Sequence, residues 1–327
     1  MAKGLPYSVT VTMQGDLRVG IYSNGGDLLT KLDLSEINLR FQSVASPEMK
    51  AFFTEIANNS GVVNLNNNKD TSSWYALVPL SLNEEVAKDD FLFFRIQEAI
   101  LLACPSLFRL LSVLVFQKRA DQKSYDLTSH SPYSPNTSRS IGWENAEIDA
   151  KLFSEFLIFY VKNFRSKPFL HTPIKYYVNN FTYANREGMA MSYFNLCIAL
   201  EGMLTSNNEI TYRLSRFCAV INSDTHEIGE VIFRNAKKLY NLRSEIAHNG
   251  TFHDDVIDDY REYLVQVVSS TIVLLLQSDI GNVEDLDKMV TRNGYGEKTK
   301  LFPNIKFVFF EADKKFEIEL PKYKRSI

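Results

Sequence analysis

The sequence predicts an α+β protein: a mixed α/β N-terminal region, then an all-α helical bundle, then a C-terminal β-hairpin. Three observations carry this. Apolar residues alternate with period two early in the chain, in Tyr7-Ser8-Val9-Thr10-Val11-Thr12-Met13 and again in Leu17-Arg18-Val19-Gly20-Ile21-Tyr22. From Ala146 the period becomes helical and stays so to residue 278. Near the C terminus, Ile305 to Phe310 and Phe316 to Leu320 flank the turn segment Ala312-Asp313-Lys314-Lys315. The chain therefore divides into an N-terminal α/β region (1–118), a polar linker or loop (119–146), a helical domain (147–280) and a C-terminal extension with the hairpin (281–327).

Gln14-Gly15-Asp16 supplies turn residues, so the first two strands are expected to pair as a hairpin. Ser23-Asn24-Gly25-Gly26-Asp27 reads as a turn, since it lacks the Gly-Lys-Ser/Thr ending of a phosphate loop. Asn38 to Ser43 and Trp74 to Leu80 read as further strands. Ser46-Pro47-Glu48 starts a helix through Ile56, and Asp90 opens another. Phe108 to Phe116 fits either a strand or a continuing apolar helix, and period alone does not separate the two. Gln122 to Asn145 is rich in Ser, Asn, Pro and charge, which suits a plain linker or a functional lid. Helices follow near 147–164, 172–184, 187–205, 209–221, 225–248 and 254–278, with short polar breaks that favour antiparallel packing. Asp224 with Glu227 is the expected capping pair of the fifth, and Asn249-Gly250 its stop signal. A short helix after 282 precedes the hairpin, for which the N-terminal sheet is one available partner. No internal repeat is evident.

At 327 residues the chain is long enough for two cores. With 36 basic against 39 acidic residues the net charge is -3, so no global field draws it onto nucleic acid and any RNA contact is a local patch. Cys104, Cys197 and Cys218 sit at unrelated spacings in apolar contexts, the pattern of reduced, buried thiols. The N terminus lacks an apolar signal core, and Ile272-Val273-Leu274-Leu275-Leu276 is too short to span a bilayer. The expectation is a soluble cytoplasmic protein without a membrane partner.

The residues with most chemical content lie at the end of the fifth helix, in Leu239-Tyr240-Asn241-Leu242-Arg243-Ser244-Glu245-Ile246-Ala247-His248-Asn249-Gly250. Arg243 is a permanent cation whose fork suits a phosphate. His248 exchanges protons near neutrality. One can hold charge while the other moves a proton, a minimal kit for breaking a phosphodiester without metal. The spacing Arg, four residues, His resembles the motif of the HEPN superfamily, in its Apea-like branch. Phe194 to Leu204, with Glu201 after Ala199-Leu200, resembles the family's glutamate-bearing helix, and Glu209 to Phe217 the segment after it. The resemblance covers roughly residues 150 to 280. It implies an HEPN-like helical bundle, a homodimer formed through it, and a metal-independent ribonuclease of microbial defence or toxin systems. The RNA, tRNA among the candidates, would be its substrate, and a regulatory protein partner is compatible. Some relatives of this kind are instead non-catalytic scaffolds or binding modules. No cofactor or metal is implied.

At about 100° per residue, Ile228, Ile232, Leu239 and Ile246 define the buried face, with Arg243 at its edge. Arg243 and His248 are offset by about 140° on a regular helix, so convergence on one phosphate needs a loosened last turn or a second protomer. Against catalysis stands a structural reading: Arg243 caps a neighbouring helix or pairs with Glu201, while His248 favours the negative end of its own helix. Glu201 either orients Arg243 or His248 or forms a structural salt bridge. Arg213 and Arg216, three apart, make a phosphate clamp or a solvated charged face. Tyr240 either packs or stacks a base. Asn241 and Ser244 are expected to assist Arg243 at the phosphate. His248, His253, Asp254 and Asp255 match no zinc spacing, and the acidic pair suits the start of the next helix.

Overall fold

The computed structural model describes residues 17–23, 28–60, 74–80, 92–105, 109–118, 125–132, 149–182, 188–204, 209–249 and 254–309. It separates into two compact units, residues 1–97 with 108–134, and residues 98–107 with 135–327.

The first unit is an α+β layer structure. In chain order it holds β1 (Leu17–Ser23), α1 (Leu28–Lys31), β2 (Asp33–Leu34), β3 (Leu39–Ser43), α2 (Pro47–Ser60), β4 (Trp74–Pro79), the first half of α3 (Leu92–Ala103), β5 (Arg109–Lys118) and β6 (Tyr125–Pro132). The sheet is antiparallel throughout, in the order β2-β3-β4-β1-β5-β6. Strand β1 is therefore interior, bonded to β4 and β5, and Leu17 to Tyr22 are all buried. Its odd residues Leu17, Val19 and Ile21 join Met49 and Phe53 of α2, with Ala76, Val78, Leu114 and Phe116 from neighbouring strands. On the opposite face, Gly20 leaves room for α3: a Cβ there would meet the Phe93 ring at 2.9 Å. Beside it the Tyr22 hydroxyl donates to the Phe93 carbonyl at 3.2 Å.

Several expectations resolve here. Tyr7 to Met13, the expected partner of β1, lies outside the described residues. Of the ambiguous run Phe108 to Phe116, the described part from Arg109 belongs to strand β5 and not to a helix. Residues 119–146 are not simply a linker: Tyr125–Pro132 is strand β6, in register with β5 from Lys118↔Tyr125 to Ser112↔Pro132. An edge strand needs partners on one side only and tolerates polar residues and a terminal proline, so its composition disguised it. The compact boundary accordingly falls at residue 134, beyond the expected 118. At α2 the expectation holds, for the Ser46 hydroxyl accepts from the Met49 amide at 3.3 Å with Pro47 in the first turn.

The second unit is helical. It contains α4 (Ala150–Asn163), α5 (His171–Thr182), α6 (Met189–Glu201), α7 (Ile210–Asn222), α8 (His226–Asn249), α9 (Asp254–Gln277), α10 (Val283–Arg292) and α11 (Lys298–Leu301). The six expected helices are present with ends moved by a few residues. Asp149 caps α4, accepting from the Lys151 and Leu152 amides. Helix α6 is apolar on nearly every side, and such a helix must be enclosed. It packs against α5, α7, α8 and α9. Ile272 to Leu276 of α9 are all buried, and among the described residues no helix is long and apolar enough to cross a membrane. The second half of α3 is held by side chains of this unit: the Tyr177 hydroxyl donates to the Leu101 carbonyl at 2.8 Å, and that of Ser269 to the Leu102 carbonyl.

Two local expectations are corrected. Thr225, not Asp224, caps α8: its hydroxyl accepts from the Ile228 amide at 3.3 Å, while Asp224 pairs with Lys298 at 2.6 Å. The C-terminal hairpin does not form over Ile305 to Phe309, which adopts no strand. The Gln277 side chain takes the strand partner's place, accepting from the Lys306 and Phe307 amides at 2.9 and 2.8 Å and donating to the Phe307 carbonyl at 2.9 Å. Phe307 is buried, its ring 5.3 Å from that of Phe156. The second limb, Phe316 to Leu320, lies outside the described residues.

Candidate functional site

Glu201 ends α6, and the helix crosses α8 so that this carboxylate meets Tyr240 and Arg243 in the C-terminal half of the motif helix. A first tie is buried, the Tyr193 hydroxyl donating to the Leu239 carbonyl at 2.7 Å. Two turns further on, Glu201 Oε1 accepts from the Tyr240 hydroxyl at 2.8 Å and lies 3.0 Å from Arg243 Nε. The Arg243 Nη2 donates to Oε2 at 3.5 Å, a long bond. The Nε–H is buried and not aligned for a hydrogen bond, so Nε and Oε1 attract by charge alone. The guanidinium carbon stands 5.4 Å from the centre of the Tyr240 ring, within cation–π range. The Arg243 and Glu201 side chains keep 30% and 22% of their exposure, so a bound anion could still reach the guanidinium.

Burial of Tyr240, and then its bond to Glu201, push its phenol far above the ordinary range. It stays protonated and acts as a donor. Cys197, one turn before Glu201, is held as a neutral thiol by burial first and the nearby carboxylate second. It is no nucleophile.

Three expected site residues thus converge: Glu201, Tyr240 and Arg243. Asn241 is exposed and Ser244 half-buried on the same helix, and among the described contacts neither reaches Glu201. His248 occupies the last turn of α8, which stays α-helical through Asn249, and its side chain lies outside the described residues. His253, Asp254 and Asp255 lie likewise outside described side chains. The expected loosening of the last turn is therefore not seen in the backbone.

Arg213 and Arg216 do not join this cluster among the described contacts. Arg213 forms an ion pair with Asp287. Arg216 donates from Nη2 to the carbonyls of Asn293 and Val290 at 2.8 and 3.3 Å, the usual service of an arginine at a helix C terminus, here that of α10. Their side chains border a cavity of about 260 Å³ between α7 and α10. Sequence reasoning missed Tyr193 and Asp287. Each depends on a partner more than forty residues away, and nothing local marks it.

Searches against protein-family models, curated proteins and solved structures return no match to this chain.

Proposed function

We propose that the chain is an HEPN-like, metal-independent endoribonuclease cleaving RNA by attack of the 2′-hydroxyl on the adjacent phosphate. One observation carries the reading: Glu201, from a helix distant in sequence, meets Arg243 and Tyr240 beside the Arg-x4-His motif. In this mechanism Arg243 stabilises the charge growing on the phosphoryl oxygens and His248 moves the proton as general base or acid. Glu201 and Tyr240 fix the guanidinium plane. As the 2′-oxygen bonds to phosphorus the P–O5′ bond breaks, leaving a 2′,3′-cyclic phosphate on one product and, after protonation, a 5′-hydroxyl on the other.

A regular α8 offsets positions 243 and 248 by about 140°. A shared phosphate site then takes the motif helices of two protomers, which supports a homodimer. Microbial defence or toxin activity follows from the resemblance alone, as do tRNA among the substrates and a regulatory partner. The test is cleavage of labelled RNA by purified variants. Arg243→Ala is expected to lower the rate by about 10² to 10³-fold, and His248→Ala to abolish it, with unchanged circular dichroism. Cleavage that survives both changes refutes the mechanism.

One observation favours a second reading, a non-catalytic module that binds nucleotide, RNA or a partner protein. The carboxylate of Glu201 already neutralises Arg243 within the protomer. If that pair is purely structural, Glu201→Gln alters stability and leaves any cleavage rate untouched.

A further inference from the structure

We propose that the cavity between α7 and α10 is a binding site for a small amphipathic monoanion, a compact apolar body bearing a single carboxylate. This stands apart from the ribonuclease reading and uses none of Glu201, Tyr240, Arg243 and His248. At about 260 Å³ the cavity has room for roughly nine waters or a ligand of about ten heavy atoms. Its floor is apolar, formed by Met203, Phe217, Leu286 and Val290, all buried. At its edge Tyr212 leaves 51% of its surface exposed, where its ring can cover an apolar ligand.

The polar wall decides the sign of the ligand. Among the described lining residues, Arg213 and Arg216 contribute two positive charges and Asp287 one negative, a net charge of +1. A monoanion balances it and a cation does not. Asp287 occupies Arg213 through an ion pair in which the side chains keep 35% and 26% of their exposure. With about a third of each side chain exposed, the pair is partly screened by solvent. A ligand carboxylate can replace Asp287 on the Arg213 fork while Asp287 turns to solvent, and Arg216 keeps its hold on α10. An apolar floor with a few well-placed polar groups is the usual make-up of a small-ligand site, the polar groups fixing the ligand's orientation.

The experiment is calorimetric titration of the full chain with sodium octanoate, octylammonium and octanamide, which share a body and differ in charge. Saturable octanoate binding is expected, tighter than that of either analogue. Arg213→Gln should weaken it about tenfold, because a charge-assisted bond is lost. Asp287→Asn should tighten it about threefold, because the competing carboxylate is gone. Val290→Phe, which fills the cavity, should abolish binding in protein whose circular dichroism is unchanged. A structural role for the Arg213–Asp287 pair alone would give both charge variants the same sign of effect or none. The proposal is overturned by absent or non-saturable octanoate binding, by tighter binding of octylammonium, or by an Asp287→Asn variant that binds octanoate no better than the parent.

Discussion

Glu201 carries one negative charge between two donors, and the consequences can be measured residue by residue. Its bonds to Tyr240 and Arg243 share one carboxylate, so they are coupled. Glu201→Gln and Tyr240→Phe are each expected to cost about 1 kcal/mol in urea unfolding. The double variant should cost less than their sum, because the second change removes a bond already lost. Additive costs would mean that Tyr240 and Glu201 do not share a network. Cys218 gives a pH signature. Burial pushes its thiol from 9.0 up to about 12. The folded pKa lies above the unfolded one, so its contribution is complete below pH 9.0 and is lost as pH rises toward about 12. Thermal midpoints measured across that range should fall, and less so in Cys218→Ala. The sequence showed Cys218 to be apolar in context, and Glu201 and Arg243 to be candidates for one another. It could not show that Tyr240 turns its hydroxyl to the same carboxylate, since that depends on where α6 crosses α8.

At the scale of elements, the helices were legible because each carries its own apolar period. The strands at the edge were not. Strand β6 is Tyr-Asp-Leu-Thr-Ser-His-Ser-Pro, a run that reads as loop and becomes a strand through its backbone bonds to β5, with α2 also lying against it. The opposite error occurred at Ile305 to Phe309, where apolar alternation suggested a strand. Its buried Phe307 instead docks under the hold of Gln277. Alternation states which residues seek burial and not what completes their backbone bonds. The start of α8 shows how closely elements can be fitted. A Cβ at Gly229 would lie 2.3 Å from Tyr295 Cβ, so the segment around Tyr295 seats on the helix only because the residue is glycine. Gly229→Ala, a better helix former, should nevertheless lose about 1–3 kcal/mol in denaturant unfolding through overpacking. A stabilised variant would show that Tyr295 does not seat there.

At the scale of the whole molecule, the division of the chain is unlike the one its composition suggests. Residues 98–107 belong with the helical unit although strands β5 and β6 follow them. Ile100, Leu101 and Leu102 are buried, and two of their carbonyls accept bonds from Tyr177 and Ser269. A fragment starting at residue 135 should therefore unfold at a lower urea midpoint than one with residues 98–107 joined to it by a flexible linker. Equal midpoints would remove that segment from the unit's core. The net charge of -3 gives no general affinity for RNA, so any RNA binding would have to come from a local site, and the proposed one is the motif helix.

The most direct measurement is cleavage of total RNA and tRNA by chelator-treated protein, comparing the parent chain with His248→Ala and identifying the product ends. The account predicts cleavage by the parent alone, undiminished by chelator and leaving 2′,3′-cyclic phosphates. Cleavage that vanishes with chelator, or that His248→Ala performs equally well, would contradict it.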